Sequence, residues 1–251
     1  MANSQKKLTN KTTKQVEEQL TKYYSKTAKQ VIKDFENTYE KLLNAMEDGK
    51  QPTPANLYKL DKYWQAQAQA RIQLEKLGEK QIVEFTRAFE SNFFDIYNSI
   101  ALKGGKTFNS LDTATVNQMI NQIWCADGKN WSSRVWGNTN KLLEELNEGL
   151  IHCVAAGKKT TDLKNILQDR FDVSYSRADA IVRTELAHIQ TQAAVKRYED
   201  YGVQQVEVWA DADERRCEIC GKLHKTKYPV GSQIPIPAHT NCRCCILPVV
   251  E

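Results

Sequence analysis

Residues 16–46 read VEEQLTKYYSKTAKQVIKDFENTYEKLLNAM, and the placing of their apolar side chains decides the fold class. Leu20, Tyr23, Tyr24, Ala28, Val31, Ile32, Phe35, Tyr39, Leu42, Leu43 and Met46 recur at steps of mostly three and four. That spacing stacks them along one face of a 3.6-residue helix. It predicts a long amphipathic helix ending near Gly49. Upstream, Lys6, Lys7, Lys11 and Lys14 precede the first acidic residue. Residues 1–15 are therefore expected to form a flexible basic arm, with these four lysines as candidate phosphate contacts.

Downstream, Pro52 and Pro54 punctuate the chain, and residues 57–77 and 79–102 read as two further helices broken at Gly78. Three helices with short links predict a helical N-terminal domain, a bundle, over residues 16–105. The aromatic residues Tyr58, Tyr63, Trp64, Phe85, Phe89, Phe93, Phe94 and Tyr97 lie at helical spacing and belong to core or interface rather than to a ligand box. Gly104-Gly105 marks the boundary to a second part, residues 110–251.

That part opens with a helix expected over residues 112–124 and a loop at Asp127-Gly128. Asn138 or Thr139 then caps a helix carrying Leu142, Leu143, Leu146, Leu150, Ile151, Val154 and Ala155 and stopped by Gly157. A short helix capped by Thr160 or Thr161 runs to Phe171, and a long one covers residues 176–201 before Gly202. Val206, Val208 and Ala210 alternate with Glu207 and Trp209, which predicts a strand leading into a cysteine-rich end. The fold class expected is mainly α: an N-terminal helical bundle and a C-terminal helical segment ending in a small α+β module at about residues 206–250.

With 251 residues, 41% of them hydrophobic, the chain can bury one large core or two ordinary ones. Its net charge of +4 is far below that of a dedicated nucleic-acid binder. No apolar run approaches the roughly 18 residues that a bilayer demands, and the N-terminus lacks a signal core, so synthesis in the host cytoplasm without a membrane partner is expected. Five of the seven cysteines crowd between Cys217 and Cys245. An odd, clustered set points to metal binding in a reducing compartment rather than to a disulfide framework.

Cys217-Glu-Ile-Cys220 sets two thiols three residues apart, and His239-Thr-Asn-Cys242 repeats the gap eighteen residues later. Two such pairs match a tetrahedral Zn2+ shell, because a filled d shell imposes no geometry and thiolate and imidazole suit the ion's softness. Cys217, Cys220, His239 and Cys242 are the candidate ligands, Cys244 is the reserve for the fourth position, and Cys245 and His224 also compete. A shell filled by protein has no open position, so such a zinc is structural. The proline-bearing segment around it, with Pro229, Pro235 and Pro237, has little apolar content and depends on the ion for its folding energy.

Taken in order, Trp131-Ser-Ser-Arg134-Val-Trp136, Arg183-Thr-Glu185, Asp213 to Cys220, Leu223-His224 and His239-Thr-Asn-Cys242-Arg243-Cys244 resemble the phage Mu F-like minor head protein family, also called the phage head morphogenesis domain. The likeness runs from about Trp131 to Val250. Thr240 departs from the proline usual there, and Cys245 is an extra thiol. The resemblance implies a low-copy, non-enzymatic minor capsid protein of a tailed bacteriophage, located in the virion at the portal vertex or capsid interior. It would assist head assembly or DNA delivery, with portal, capsid or scaffold proteins and packaged DNA as partners.

Arg183, Glu185 and His188 are read as structural or interaction residues. Glu185 and His188 share a helix face and are expected to pair, and an ion pair is expected to tie this helix to the zinc module. Two other function classes compete. One is a zinc-containing nucleic-acid-binding or adaptor protein, supported by Arg215, Arg216, Lys222, Lys225, Lys227 and Arg243 around the ligands. The other is an enzyme, because an arginine, a threonine and acidic residues are similar to ADP-ribosyltransferase toxins, some of them fused to this phage domain. With Glu251 directly after the module no effector domain is expected, and no catalytic residue is assigned. Cys153 and His152 are neighbours about 100° apart on a helix, badly placed to share a proton.

Overall fold

The computed structural model describes residues 1–46, 50–102, 111–211 and 213–249. The chain runs α1 (Ala2–Asn44), α2 (Pro54–Tyr58), α3 (Asp61–Ser99), α4 (Thr113–Ile120), α5 (Trp131–Ala155), α6 (Thr160–Asp200), β1 (Gln205–Trp209), α7 (Glu218–Leu223), β2 (Lys227–Pro229) and β3 (Cys245–Pro248). The protein is mainly α with a few short strands. Gly49, Gly104-Gly105 and Val250, expected as a helix stop, a boundary and a module end, lie outside the described residues.

Four of the described helices, α1, α3, α5 and α6, are longer than the sequence predicts, and buried contacts account for the added turns. Residues 1–15 are not a flexible arm but the first turns of α1. Gln5, Thr9, Thr12 and Thr13 are buried there at helical spacing, ahead of Val16. Thr9 Oγ1 donates to Gln190 Oε1 at 2.7 Å, and Gln5 Nε2 to Tyr198 OH at 3.3 Å. A polar stripe held by partners 181 and 193 residues away leaves no hydrophobic period to read.

Gly78 does not break a helix; α3 runs straight through it. A Cβ at Gly78 would sit 2.5 Å from Cζ3 of Trp136, so this glycine admits a ring against the helix backbone. Asn138 and Thr139 are not caps, since α5 begins at Trp131. Asn138 is buried and its Nδ2 donates to Ser174 O at 2.8 Å and Tyr24 OH at 3.2 Å. The two helices expected between residues 160 and 201 are one, α6. The polar turn read as a break contains Ser174, fully buried, whose carbonyl and hydroxyl are used by Tyr24 and Asn138. The helix expected over residues 112–124 stops at Ile120, with Asp112 as its N-cap accepting from Thr115 N at 2.8 Å.

The stops at Gly157 and Gly202 hold, with φ of +59° and +72°. Lys158 N donates to Cys153 O at 3.0 Å, the long return bond that left-handed glycine makes reachable at a helix end.

The chain divides into two compact units. One comprises residues 18–83 and 132–179. Leu20, Phe35, Tyr39, Leu74, Leu77, Leu142, Leu146, Leu150, Leu167 and Phe171 are buried in it, and Glu145 accepts a two-pronged bond from Arg177 at 2.8 and 3.1 Å. The other comprises residues 1–17, 84–131 and 180–251 and carries the cysteine-rich end. There Trp131 stacks edge-on with Phe89 at 5.3 Å, and its Nε1 donates to Ile120 O. The three strands form one antiparallel sheet, ordered β2-β1-β3, with Val206 opposite Pro248 and Val208 opposite Ile246. Val206, Val208 and Ala210 are buried, as the alternation requires.

Candidate metal centre

The sheet and α7 present the cysteines. Cys217 is the N-cap of α7, extended at φ −72° and ψ 164°, and its sulfur accepts from Cys220 N at 3.4 Å. One turn of helix then carries Cys220 back beside it. Cys242 and Cys244 lie on the approach to β3, one residue apart on an extended segment, and His239 ends the long loop after β2.

Five donor atoms meet there. His239 Nε2 lies 3.3 Å from Cys217 Sγ and 3.1 Å from Cys220 Sγ, and Cys220 Sγ lies 3.8 Å from Cys242 Sγ. Cys217, Cys220 and His239 form one group with all donors within 4.8 Å of one another; Cys220, Cys242 and Cys244 form a second, and Cys220 belongs to both. Two tetrahedral sulfurs each about 2.3 Å from zinc stand about 3.8 Å apart, the Cys220 to Cys242 separation. The His239 contacts, at 3.3 and 3.1 Å, are a few tenths shorter than that geometry gives. Either group could hold a small, soft cation, but the two meet only at Cys220, so Cys217, Cys220, His239 and Cys242, the ligands expected from the sequence, do not form one group at that spacing.

The proton inventory of the cluster is polarised. His239 Nδ1 donates to the carbonyl of Thr240 at 2.8 Å, leaving the Nε2 lone pair facing the two sulfurs. That carbonyl, the largest cause, holds the His239 pKa above its ordinary value. The Cys220 amide holds the Cys217 thiol below the usual range. Burial pushes Cys220 up to about 12, while a hydrogen bond from Cys244 takes Cys242 down to about 5 and keeps the proton on Cys244. Cys245 is fully buried, pushed up to about 11 by burial, and its Sγ faces Trp209 O. His224 is not in the cluster: its Nδ1 accepts from Ala210 N at 3.2 Å, and its ring lies edge-on to Trp209.

Residues between the ligands seat the module. Arg243 donates two 2.8 Å bonds to Asp213, whose carboxyl it holds well below the ordinary carboxylate range. Asp211 lies 3.8 Å from Arg243 and receives Lys6 at 2.5 Å. Lys6 is therefore an internal ion-pair partner, 15% exposed, rather than a phosphate contact. Lys7, Lys11 and Lys14 are exposed at helical spacing on α1. Arg215 pairs with Asp213 and Lys222 with Glu218, so part of the basic cluster around the ligands is neutralised internally.

The Arg183-Thr-Glu185 run ties α6 to three different places. Arg183 pairs with Glu17 on α1. Thr184 reaches the cysteine-rich module, its Oγ1 accepting from Asn241 N at 3.1 Å, between His239 and Cys242. Glu185 is buried and accepts from Trp124 Nε1 at 2.9 Å instead of pairing with His188. His188 is 6% exposed, stacks on Trp124 at 4.3 Å and 10°, and neither ring nitrogen has a hydrogen-bond partner among the described residues. Burial lowers its pKa to about 4. The roles of Thr184 and Trp124 were missed in the sequence because nothing local distinguishes them; Asn241, at φ +61°, carries only a turn signal.

Residues 144–247 match the model of the family described as Phage Mu protein F like protein. The match holds the cysteine pair, the Arg-Thr-Glu run and all five clustered donors, and it confirms the likeness read from those motifs. Trp131 to Trp136 precedes it. No curated protein and no solved structure matches the chain. No helix among the described residues is long and apolar enough to cross a membrane.

Proposed function

We propose that this chain is a minor capsid protein of a tailed bacteriophage, a low-copy, non-enzymatic component acting near the portal vertex in head assembly or DNA delivery. The observation that carries the reading is the coincidence of the family match with the donor cluster. A protein-filled metal shell on a module seated by Thr184, Asp213 and Arg243 belongs to a rigid docking end rather than to a reaction centre.

In this reading Cys217, Cys220, His239 and Cys242 hold a structural Zn2+. The ion supplies folding energy to a segment with too few apolar side chains for a core of its own. The absence of an exchangeable water position on such an ion is the argument against catalysis. Portal, capsid or scaffold proteins are the partners proposed, and the host cytoplasm is the place of assembly before incorporation into the virion. A DNA contact is proposed for the exposed face carrying Lys7, Lys11 and Lys14.

Quantitative mass spectrometry of purified particles tests the reading. A few to some tens of copies per head are expected; absence from particles, with the protein present in infected cells, would replace the virion role by that of a transient assembly factor or soluble adaptor.

A further inference from the structure

Of the eight aromatic residues at helical spacing on α2 and α3, five are buried and Phe94 is half-buried, whereas Tyr58 and Trp64 are 44% and 55% exposed. These two close the corner where α2 passes into α3. Their rings stand 6.3 Å apart and 29° from parallel. Tyr63, 3% exposed, lies edge-on to both, at 5.6 Å from Tyr58 and 4.8 Å from Trp64.

The corner holds the rings in place. Thr53 and Asn56 cap α2 reciprocally, Asn56 N donating to Thr53 Oγ1 and Thr53 N to Asn56 Oδ1, and Leu57 beside Tyr58 is fully buried. The Tyr63 hydroxyl donates to Asn147 Oδ1 at 2.8 Å, and the Trp64 indole N–H donates to Tyr58 O at 3.0 Å. With that N–H used inside the corner, Trp64 offers solvent the π surface of a fixed ring. The surrounding charge is positive: residues 58–71 carry Lys59, Lys62 and Arg71 against Asp61 alone. Arg71 is exposed seven residues after Trp64, two turns along the same face of α3 and about 10 Å away, with the small side chain of Ala68 between them.

Exposed π faces flanked by cations suit a ligand with flat rings and regularly spaced negative charge. We propose that the Tyr58–Trp64 corner is a stacking site for the unpaired bases of single-stranded nucleic acid, with Lys59, Lys62 and Arg71 on its phosphates. Bases in a duplex stack on one another and hide their faces, so the site distinguishes strand from duplex rather than one sequence from another. A neutral sugar, which also stacks on exposed indoles, gives three cations nothing to meet. The corner lies in the unit of residues 18–83 and 132–179, whereas Lys7, Lys11 and Lys14 belong to the other. That lysine face draws phosphate in either form and needs no base, so the two contacts are separable. The inference draws on neither the metal nor the capsid reading.

Fluorescence anisotropy of the full chain at low salt tests it, with dye-labelled oligo(dT) of about 20 nucleotides and a duplex of the same length as probes. Wild type should bind the single strand more tightly than the duplex. Trp64→Ala and Tyr58→Ala should each weaken single-strand binding about fivefold or more, the low end for one stacked base, and leave duplex binding unchanged. Trp64→Phe keeps a ring and should stay within about threefold of wild type, which separates stacking from a general loss of fold. Replacing Lys7, Lys11 and Lys14 by glutamine should lower both affinities and leave the preference for the single strand. Single-strand binding unchanged in both alanine variants overturns the proposal, as does equal affinity of wild type for strand and duplex. Trp64-dependent self-association in sedimentation velocity, from a chain that binds no single strand, would overturn it in favour of a protein interface.

Discussion

His188 should make the unit that carries it acid-sensitive in a way that one substitution removes. The ring is 6% exposed, lies flat on Trp124, and has no hydrogen-bond partner for either nitrogen among the described residues. Burial therefore lowers its pKa from 6.5 to about 4. Between those values the unfolded chain binds a proton that the folded one excludes, so stability rises with pH across that window. The contribution is fully present above pH 6.5, is lost progressively as pH falls, and is gone below pH 4. The full shift corresponds to about 3 kcal/mol, of which roughly 2 kcal/mol disappears between pH 7 and pH 5.

Urea unfolding of wild type and His188→Leu at both pH values, followed by far-UV circular dichroism and tryptophan fluorescence, reads this as a double difference. Losing the stack on Trp124 shifts the variant by a constant amount, and any acid effect on the metal site is common to both proteins. The variant should lose about 2 kcal/mol less than wild type between pH 7 and pH 5. An equal loss in the two proteins would refute the argument that burial without a partner holds His188 neutral.

Cys217→Ser should abolish metal binding and open residues 205–249 to protease while leaving most of the helical signal, and metal content with limited proteolysis checks this. Chelation of the wild-type protein should give the same fragments; intact resistance in both would remove the ion from any structural role. Gly78→Ala should cost about 1 kcal/mol or more in urea unfolding, because its methyl meets Trp136 at 2.5 Å. Helix propensity alone gives a gain of about 1 kcal/mol, so a stabilised variant would show that the ring has room to move. Replacing Lys7, Lys11 and Lys14 by glutamine should weaken DNA binding at low salt and flatten its salt dependence, measured by fluorescence anisotropy; an unchanged slope would place any phosphate contact elsewhere.

The sequence by itself determined the helical class, the strand at the start of the module, the glycine stops at Gly157 and Gly202 and the concentration of candidate metal donors between Cys217 and Cys244. Each of these is written in residues close together in the chain: a 3.6-residue period, an alternation, a residue free to take positive φ, a three-residue gap between ligands. Tertiary structure alone decided the rest. Whether Gly78 ends a helix depended on Trp136, whether Ser174 breaks one depended on Tyr24 and Asn138, and whether residues 1–15 are ordered depended on Gln190 and Tyr198.

The same holds within the site. The residue types of Arg183-Thr-Glu185 were legible, but Glu17, Asn241 and Trp124 chose what each one does. A polar side chain in a helix reads as surface, cap or break until a distant partner takes its hydrogen bond. That partner is selected by packing of the folded chain, which no local pattern encodes.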